Sequence, residues 1–427
     1  MRDAVVIGAG LAGLTAAIRL AETGRSVSLL TKGIGGLQLS QGTFDILGYT
    51  PDRVERPLDA VEELARRDGF HPYSAIGAEG ARAGAGYVES LAGAELLAGE
   101  PQTNVFLPTA VGALRPTALA QPSMLAGAAE AGKRYVIVGL RRLKDFYPEL
   151  VAANLSRAQL PDGQLRARAL MVDVAARSND VDSSALVFAR AFDDPAWRRR
   201  LAQELTGQLH DDEVVGLPAI LGYRDYRAWE SFQQELGQPV FEIPLQPPSV
   251  PGMRLNERLT ARARAAGVRL IMGSRVIGAK TDGDRVHSVQ LDSAGRVRDY
   301  SAHDFIFAPG GFESGSLHVD SYMTVSEPVF GLPLRGLDSD ELISEKYWDA
   351  DQPLFKVGVG VNAQMKPVDA EGNVVFHNLF AAGGILAGAT RWAEKSGEGI
   401  AAGSALRAAE TICGPSRHAQ TMTGEEA

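Results

Sequence analysis

The chain opens with two hydrophobic periods in succession. Residues 4–7 form an uninterrupted apolar run, as in a strand buried on both faces, and Leu14, Ala17, Ile18 and Ala21 then recur at helical spacing. Gly24 ends the helix and "SVSLL" reads as a second strand. The following "GIGGLQLSQGTFDILGY" keeps no period. Beyond residue 50 the alternation restarts: "PLDAVEELARRDGF" is helical, "KRYVIVGL" a strand, "DFYPELVAANLSRAQL" a helix and "DEVVGLPAIL" a strand. "VFEIPLQPPSVPGMRL" predicts a proline-rich loop, "RLNERLTARARAAG" a helix and "VRLIMGSRV" a strand. Turn signals at Asp282-Gly283 and Ala294-Gly295 then divide a strand meander ending in "DFIFAPGG". From Asn378 to Ile412 come a last strand, a glycine-rich turn, a long loop and a helix opened by Gly397 and Gly399.

These elements predict an α/β protein, a Rossmann-like fold carrying an inserted α/β domain. Residues 1–50, 250–310 and 376–412 are expected to form the discontinuous nucleotide-binding domain, 51–249 and 311–375 the inserted or cap domain, and 413–427 a polar tail. No repeat at solenoid periods is present.

A chain of 427 residues that is 45% hydrophobic can bury a large core. Its net charge of -9 argues against general nucleic-acid binding, which needs a basic footprint to displace counterions. Acidic ligands would need local basic pockets. The single cysteine, Cys413, leaves no internal disulfide and no cysteine-ligated iron–sulfur cluster held by this chain alone, and suits a reducing cytoplasm. No apolar segment approaches about 18 residues, so neither a signal peptide nor a direct membrane span is expected. The histidines at 71, 210, 287, 303, 318, 377 and 418 show no metal-ligand spacing, and none is assigned a catalytic role.

The chemistry begins in the first turn. Gly8, Gly10 and Gly13 have the G-x-G-x-x-G spacing between strand and helix, and the backbone from Gly8 through Ala9, Gly10, Leu11 and Ala12 to Gly13 is expected to meet a phosphate. Gly10 allows close approach, and the free N–H groups and dipole of the helix favour an anion. The closing segment repeats this logic: Gly383 and Gly384 form a turn, and Gly397, Gly399 and Ile400 open a helix whose N-terminus would stabilise negative charge on a reduced flavin ring. Standing alone, that segment reads equally well as a loop before a surface helix.

Together, "GAGLAG", "FAPGG" and "LFAAGGILAG…GEGIAAGSAL" resemble flavoproteins of the two-dinucleotide-binding-domain type, which adds Ala308 and Gly310 to the candidate site. The stretches "LLTKGIGGLQLSQGTFDILGY", "VIVGLRRLKDFYPELVAANL", "IPLQPPSVPGMRLNERL" and "FAPGGFESGSL" resemble the B-subunit family of anaerobic glycerol-3-phosphate dehydrogenase over nearly the whole length. The resemblance implies an FMN-carrying subunit that pairs with a FAD-bearing catalytic A subunit, and an iron–sulfur C subunit that docks both at the cytoplasmic membrane. The complex would oxidise glycerol 3-phosphate to dihydroxyacetone phosphate and pass electrons to a quinone.

Thr31, Lys32 and Gly33 stand where a dinucleotide site ends its second strand in an acidic, ribose-binding residue. FMN has no adenosine half to hold, so the substitution favours FMN, with FAD the alternative. Lys32 reads either as a phosphate partner or as a solvated lysine. Ser40, Gln41, Gly42 and Thr43 read either as contacts to the flavin ring edge or ribityl chain or as a polar turn. Arg391 and Glu394 are either an ion pair or flavin contacts, and Arg254, beyond the stiff Pro247, Pro248, Ser249, Pro251 segment, could reach an anion. Two functions stay open: an electron-transfer flavoprotein subunit, and a self-contained flavoenzyme with its own acid or base. A third is a structural subunit without flavin.

Overall fold

The computed structural model describes residues 1–338, 342–346 and 352–414, and the predicted polar tail lies outside them apart from Cys413 and Gly414. The chain divides into two compact units, Met1–Gly35, Leu58–Val88 and Thr260–Ala427 in the first, Gly36–Pro57 and Glu89–Leu259 in the second.

The first unit is built on β1 (Arg2–Ile7), α1 (Leu11–Glu22), β2 (Val27–Thr31), α2 (Tyr73–Ala92, of which residues to Val88 belong here), β3 (Arg269–Met272), β4 (Arg275–Asp282), β5 (Arg285–Ser293), β6 (Arg296–Phe307), β7 (Leu379–Ala381) and α3 (Gly397–Cys413). Five strands pair in parallel in the order β3-β2-β1-β6-β7. Val5 faces Ser28 on one side and Phe305 on the other, and the run from Ala4 to Val6 is fully buried, which explains its unbroken apolarity. The first half of β6 pairs antiparallel with β5, and β5 with β4, giving the expected meander. Ala294 and Gly295 both take positive φ, 49° and 76°, at its second hairpin turn. The predicted single strand "VRLIMGSRV" is instead two, β3 and β4, separated at Gly273 where φ is +82°. Helix α1 packs on α3, and α2 meets α3 where a Cβ on Gly84 would lie 2.6 Å from the Gly403 nitrogen.

The second unit has a four-stranded, all-parallel sheet in the order Arg166–Val172, Arg134–Leu140, Glu213–Pro218, Val240–Ile243. Its core is aromatic: Phe192 stacks edge-on to Phe232 at 5.2 Å, Tyr135 to Phe241 at 5.3 Å, and Phe188 to Trp197 at 6.1 Å, all buried. The helix predicted through "DFYPELVAANLSRAQL" covers only Pro148–Leu155, because Gln159–Leu160 turns back to pair with Gly163–Gln164.

Four segments fall elsewhere than the pattern suggested, and residues 250–259, expected in the nucleotide-binding domain, are one of them, belonging to the second unit. Residues 36–50 join the second unit, where the Phe44 N–H donates to the Leu119 carbonyl at 2.7 Å. Residues 58–88 join the first, where Arg407 Nη2 donates to the Ile76 carbonyl at 3.0 Å. Residues 311–375 also join the first, because Val359 bridges Leu386 and the Gly388 N–H donates to the Lys356 carbonyl at 2.9 Å. These long-range ties leave no local periodicity.

The proline-rich stretch is shorter than predicted, because a helix already begins at Val250 with Pro251 in its first turn, where a missing N–H costs nothing. This puts Arg254 inside the second unit rather than at an anion site. Arg254 and Glu242 are each only 2% exposed and form an ion pair. Arg254 also donates from Nε to the Gly222 carbonyl at 2.8 Å and from Nη1 to Gln121 Oε1 at 2.9 Å, while Glu242 accepts from the Ser123 hydroxyl at 2.6 Å and the Leu221 N–H at 3.2 Å. Desolvating both charges is costly, and the surrounding hydrogen bonds offset it only while both partners remain. Glu242→Ala should therefore destabilise the chain by about 3–5 kcal/mol in urea unfolding, and Glu242→Ala with Arg254→Met by much less. Equal losses in the single and double variants would contradict the pairing argument.

Candidate functional site

The candidate groove is a backbone construction at the start of α1. The Gly8 N–H donates to the Leu30 carbonyl at 2.8 Å, and the Ala308 N–H to the Ile7 carbonyl at 2.9 Å, so the ends of β2, β1 and β6 converge. Gly8 has φ +104°, and a Cβ on it would overlap the Ala308 carbonyl oxygen; a Cβ on Gly13 would overlap the Gly8 carbonyl oxygen. Gly10 differs: its φ of −76° suits any residue, and a Cβ there would meet no atom within 4 Å. Leu11 follows as the first residue of α1, whose first turn has no side-chain cap and no acidic residue. Its leading N–H groups and dipole favour an anion from outside the helix. An open space lined by backbone, beside an uncapped helix N-terminus, fits a phosphate.

At the end of β2, Thr31 is buried and its hydroxyl donates to the Gly33 carbonyl at 2.5 Å, so it closes the turn on itself. Lys32 and Gly33 are exposed. A Cβ on Gly35 would overlap the Ala9 carbonyl oxygen, which places this loop directly against the glycine turn.

The opposite wall comes from 308–316 and 382–404. A Cβ on Gly383 would lie 2.8 Å from the Ala12 Cβ, and one on Gly384 would lie 2.9 Å from the Gly311 nitrogen and 3.2 Å from Arg391 Nη2. Ser316 donates its hydroxyl to the Gly310 and Gly311 carbonyls at 2.8 and 2.7 Å. The Gly383 N–H donates to Ser404 Oγ at 2.9 Å, and that hydroxyl donates to the Ile400 carbonyl at 2.6 Å, tying the turn to α3. Gly399 and Ile400 are buried in the first turn of α3, which starts at Gly397 without a side-chain cap. The structure thus brings the candidates at 8–13, 31–33, 308–310, 383–384 and 397–400 into one unit.

Arg391 and Glu394 do not pair with each other. Arg391 Nη2 donates to Glu313 Oε1 at 2.6 Å. Glu394 Oε2 lies 3.1 Å from Nε2 of His71, which is 2% exposed, and it also accepts from the Ser396 hydroxyl at 2.9 Å, while Oε1 accepts from the Thr390 N–H at 2.8 Å. Burial raises the Glu394 carboxyl, but the hydrogen bonds from His71, the Thr390 N–H and the Ser396 hydroxyl outweigh it and hold the group below its usual range. His71, Ser316 and Ser404 escaped sequence reasoning, since a lone histidine or serine carries no spacing signal.

Ser40, Gln41, Gly42 and Thr43 belong to the second unit. There the Ser40 hydroxyl donates to the Leu37 carbonyl at 2.8 Å, the Gly42 carbonyl accepts from Gln121 Nε2 at 3.3 Å, and the Thr43 hydroxyl donates to Asp45 Oδ1 at 3.2 Å. Gln41 and Thr43 line a recess with Arg115, Thr117 and Glu242. Buried Asp45 is paired with Arg115 and accepts from the Thr117 hydroxyl at 2.6 Å. Among the described residues no group of three or more His, Cys, Asp or Glu is placed to hold a metal. No helix among them is long and apolar enough to cross a membrane.

The family described as FAD binding domain matches residues 3–400. The B subunit of anaerobic glycerol-3-phosphate dehydrogenase from Pectobacterium atrosepticum is 33% identical over 419 residues, covering 96% of this chain and 98% of its own. The probable B subunit of anaerobic glycerol-3-phosphate dehydrogenase from Halobacterium salinarum is 31% identical over 430 residues, with the same coverage of 96% and 98%. Among solved structures, 3-ketosteroid delta1-dehydrogenase from Sterolibacterium denitrificans aligns with 96% of this chain and 99% of its own at a TM-score of 0.46 and 12% identity.

The contrast between Gly8 and Gly10 makes the groove testable. Gly10→Val should cost no more than about 1 kcal/mol of stability in the flavin-free chain yet abolish flavin retention on gel filtration. Gly8→Val should cost about 3 kcal/mol or more by itself. Flavin retained by Gly10→Val would place the phosphate elsewhere.

Proposed function

The chain is a flavoprotein oxidoreductase that belongs to the FAD binding domain family and to the B-subunit family of anaerobic glycerol-3-phosphate dehydrogenase, and from this premise we propose that it is the electron-relaying flavin subunit of such a complex. In this reading the reaction served is oxidation of glycerol 3-phosphate to dihydroxyacetone phosphate, which releases two electrons and two protons, with a quinone as the final acceptor. The partners are a FAD-bearing catalytic A subunit, and an iron–sulfur C subunit through which this chain is held at the cytoplasmic face of the membrane.

The observation that carries the cofactor reading is the open space at Gly10 in front of the uncapped α1 N-terminus. The N–H groups of Leu11 and Ala12 are assigned to the cofactor phosphate, and the backbone at Ala308, Gly310 and Gly384 to the wall beside it. The N-terminus of α3, at Gly397–Gly399, would favour negative charge on a nearby ring. When bound, a flavin supplies reversible two-electron chemistry that can also proceed one electron at a time. We assign FMN rather than FAD, because the residue closing β2 is Thr31, whose hydroxyl is engaged by Gly33, followed by exposed Lys32. No carboxylate at that position accepts from an adenosine ribose. The relay role is supported by the designation of the relatives as one member of a multi-subunit enzyme and by a sequence whose one cysteine cannot supply an iron–sulfur cluster.

Acid should release a noncovalent flavin that chromatographs as FMN; stoichiometric FAD would overturn the assignment drawn from Thr31. The isolated, flavin-loaded chain should keep its visible absorbance when mixed anaerobically with glycerol 3-phosphate, and lose it once the catalytic partner is added. Rapid bleaching of the isolated chain would instead establish a self-contained dehydrogenase.

A further inference from the structure

The loop that leads into α3 is anchored unevenly. Its upstream half is held by backbone pairing, with the Ala387 N–H donating to the Val359 carbonyl at 3.1 Å and the Gly388 N–H to the Lys356 carbonyl at 2.9 Å. Downstream, the short helix Arg391–Glu394 is followed by Lys395 at φ +52° and then by Ser396, the N-cap of α3, which is completely buried. Here the organising group is the Glu394 carboxylate, which accepts from the Thr390 N–H before it and from the Ser396 hydroxyl after it. That second bond fixes the Ser396 side chain, whose oxygen makes no capping bond to the helix N–H groups.

Glu394 is fixed in turn by His71, which arrives from a distant part of the chain. The Tyr73 N–H donates to His71 Nδ1 at 3.1 Å, so the imidazole proton sits on Nε2 and is donated to Glu394 Oε2 at 3.1 Å. The ring cannot swing, because His71 and Tyr73 are both buried with ring centroids 5.2 Å apart. The adjoining backbone is equally close: Gly388 has φ +103°, and a Cβ there would overlap the Phe70 carbonyl oxygen.

We propose that His71 is a positioning residue for the flavin site: as the Nε2–H tautomer it orients Glu394, which holds Ser396 and so fixes where α3 begins relative to the cofactor. The proposal rests on the reading that the flavin ring lies at the α3 N-terminus. Its physical content is separable from that reading, because the clamp acts in the flavin-free chain as well.

The test compares His71→Ala, His71→Gln and Glu394→Gln with the wild-type chain. In the flavin-free protein, His71→Ala should speed amide exchange across residues 388–397 on the order of tenfold while β1 and β6 keep their protection. His71→Gln, whose amide can accept from Tyr73 and donate to Glu394, should restore most of it. In the flavin-loaded protein, His71→Ala should change the oxidised-to-reduced flavin ratio at a fixed poise about fivefold, again restored by His71→Gln. If His71→Ala does not fold, Glu394→Gln keeps the side-chain shape but puts a donor-only amide nitrogen where one carboxylate oxygen accepts, and should move the same two readouts in the same sense. Unchanged exchange overturns the clamp. Faster exchange with an unchanged flavin ratio overturns the positioning role alone, whereas a wild-type chain that takes up no flavin overturns the functional reading together with the proposal.

Discussion

No side chain fits between Gly8 and the Ala308 carbonyl oxygen, and the architecture of the site depends on that exclusion. It brings the end of β6 against the turn after β1. The same closeness, repeated between Gly13 and the Gly8 carbonyl, lays α1 on the strand it follows. With both approaches made by bare backbone, the N-terminus of α1 opens at Gly10 onto space rather than onto a side chain. Because no side chain caps the first turn, its leading N–H groups are left to water or to an anionic ligand, and it is there that the proposed cofactor phosphate is assigned.

The closing segment applies the same principle with more machinery. Ser404 joins the Gly383 turn to α3, Ser316 fixes the two carbonyls at Gly310 and Gly311, and the Arg391–Glu313 pair lies beside Gly311 and Gly384. Glycine supplies the close approaches, and short hydroxyl side chains satisfy the backbone groups that such approaches strand. The His71–Glu394 interaction adds a longer-range element. A neutral histidine donating to a carboxylate gives a directional bond without burying a second full charge, and so avoids most of the desolvation cost carried by the Arg254–Glu242 pair in the second unit.

What was legible in the sequence was what local periodicity and glycine spacing encode. The apolar run of β1, the helical stripe of α1, the meander turns and the glycines at 8, 10 and 13 all report on their own neighbourhood. The unit boundaries were not legible, because residues 58–88 and 311–375 are assigned by pairings such as Arg407 with Ile76 and Val359 with Leu386. Arg254 illustrates the same limit. Its sequence context suggested a cation free for an anion, whereas its role is set by Glu242, Gln121 and Gly222, which only the folded second unit brings to it. His71 is the converse case, a residue without a motif whose partner lies 323 positions away.

The central claim is that a phosphate sits on the N–H groups at the start of α1. Hydrogen exchange of the Leu11–Gly13 amides, measured in the apo-chain with saturating FMN and then with saturating riboflavin, reads this contact directly. FMN should slow these amides, and riboflavin, which has the same ring and ribityl chain without the phosphate, should leave them near their apo rates. Equal protection by both compounds, or protection by FMN confined to other segments, would contradict the account.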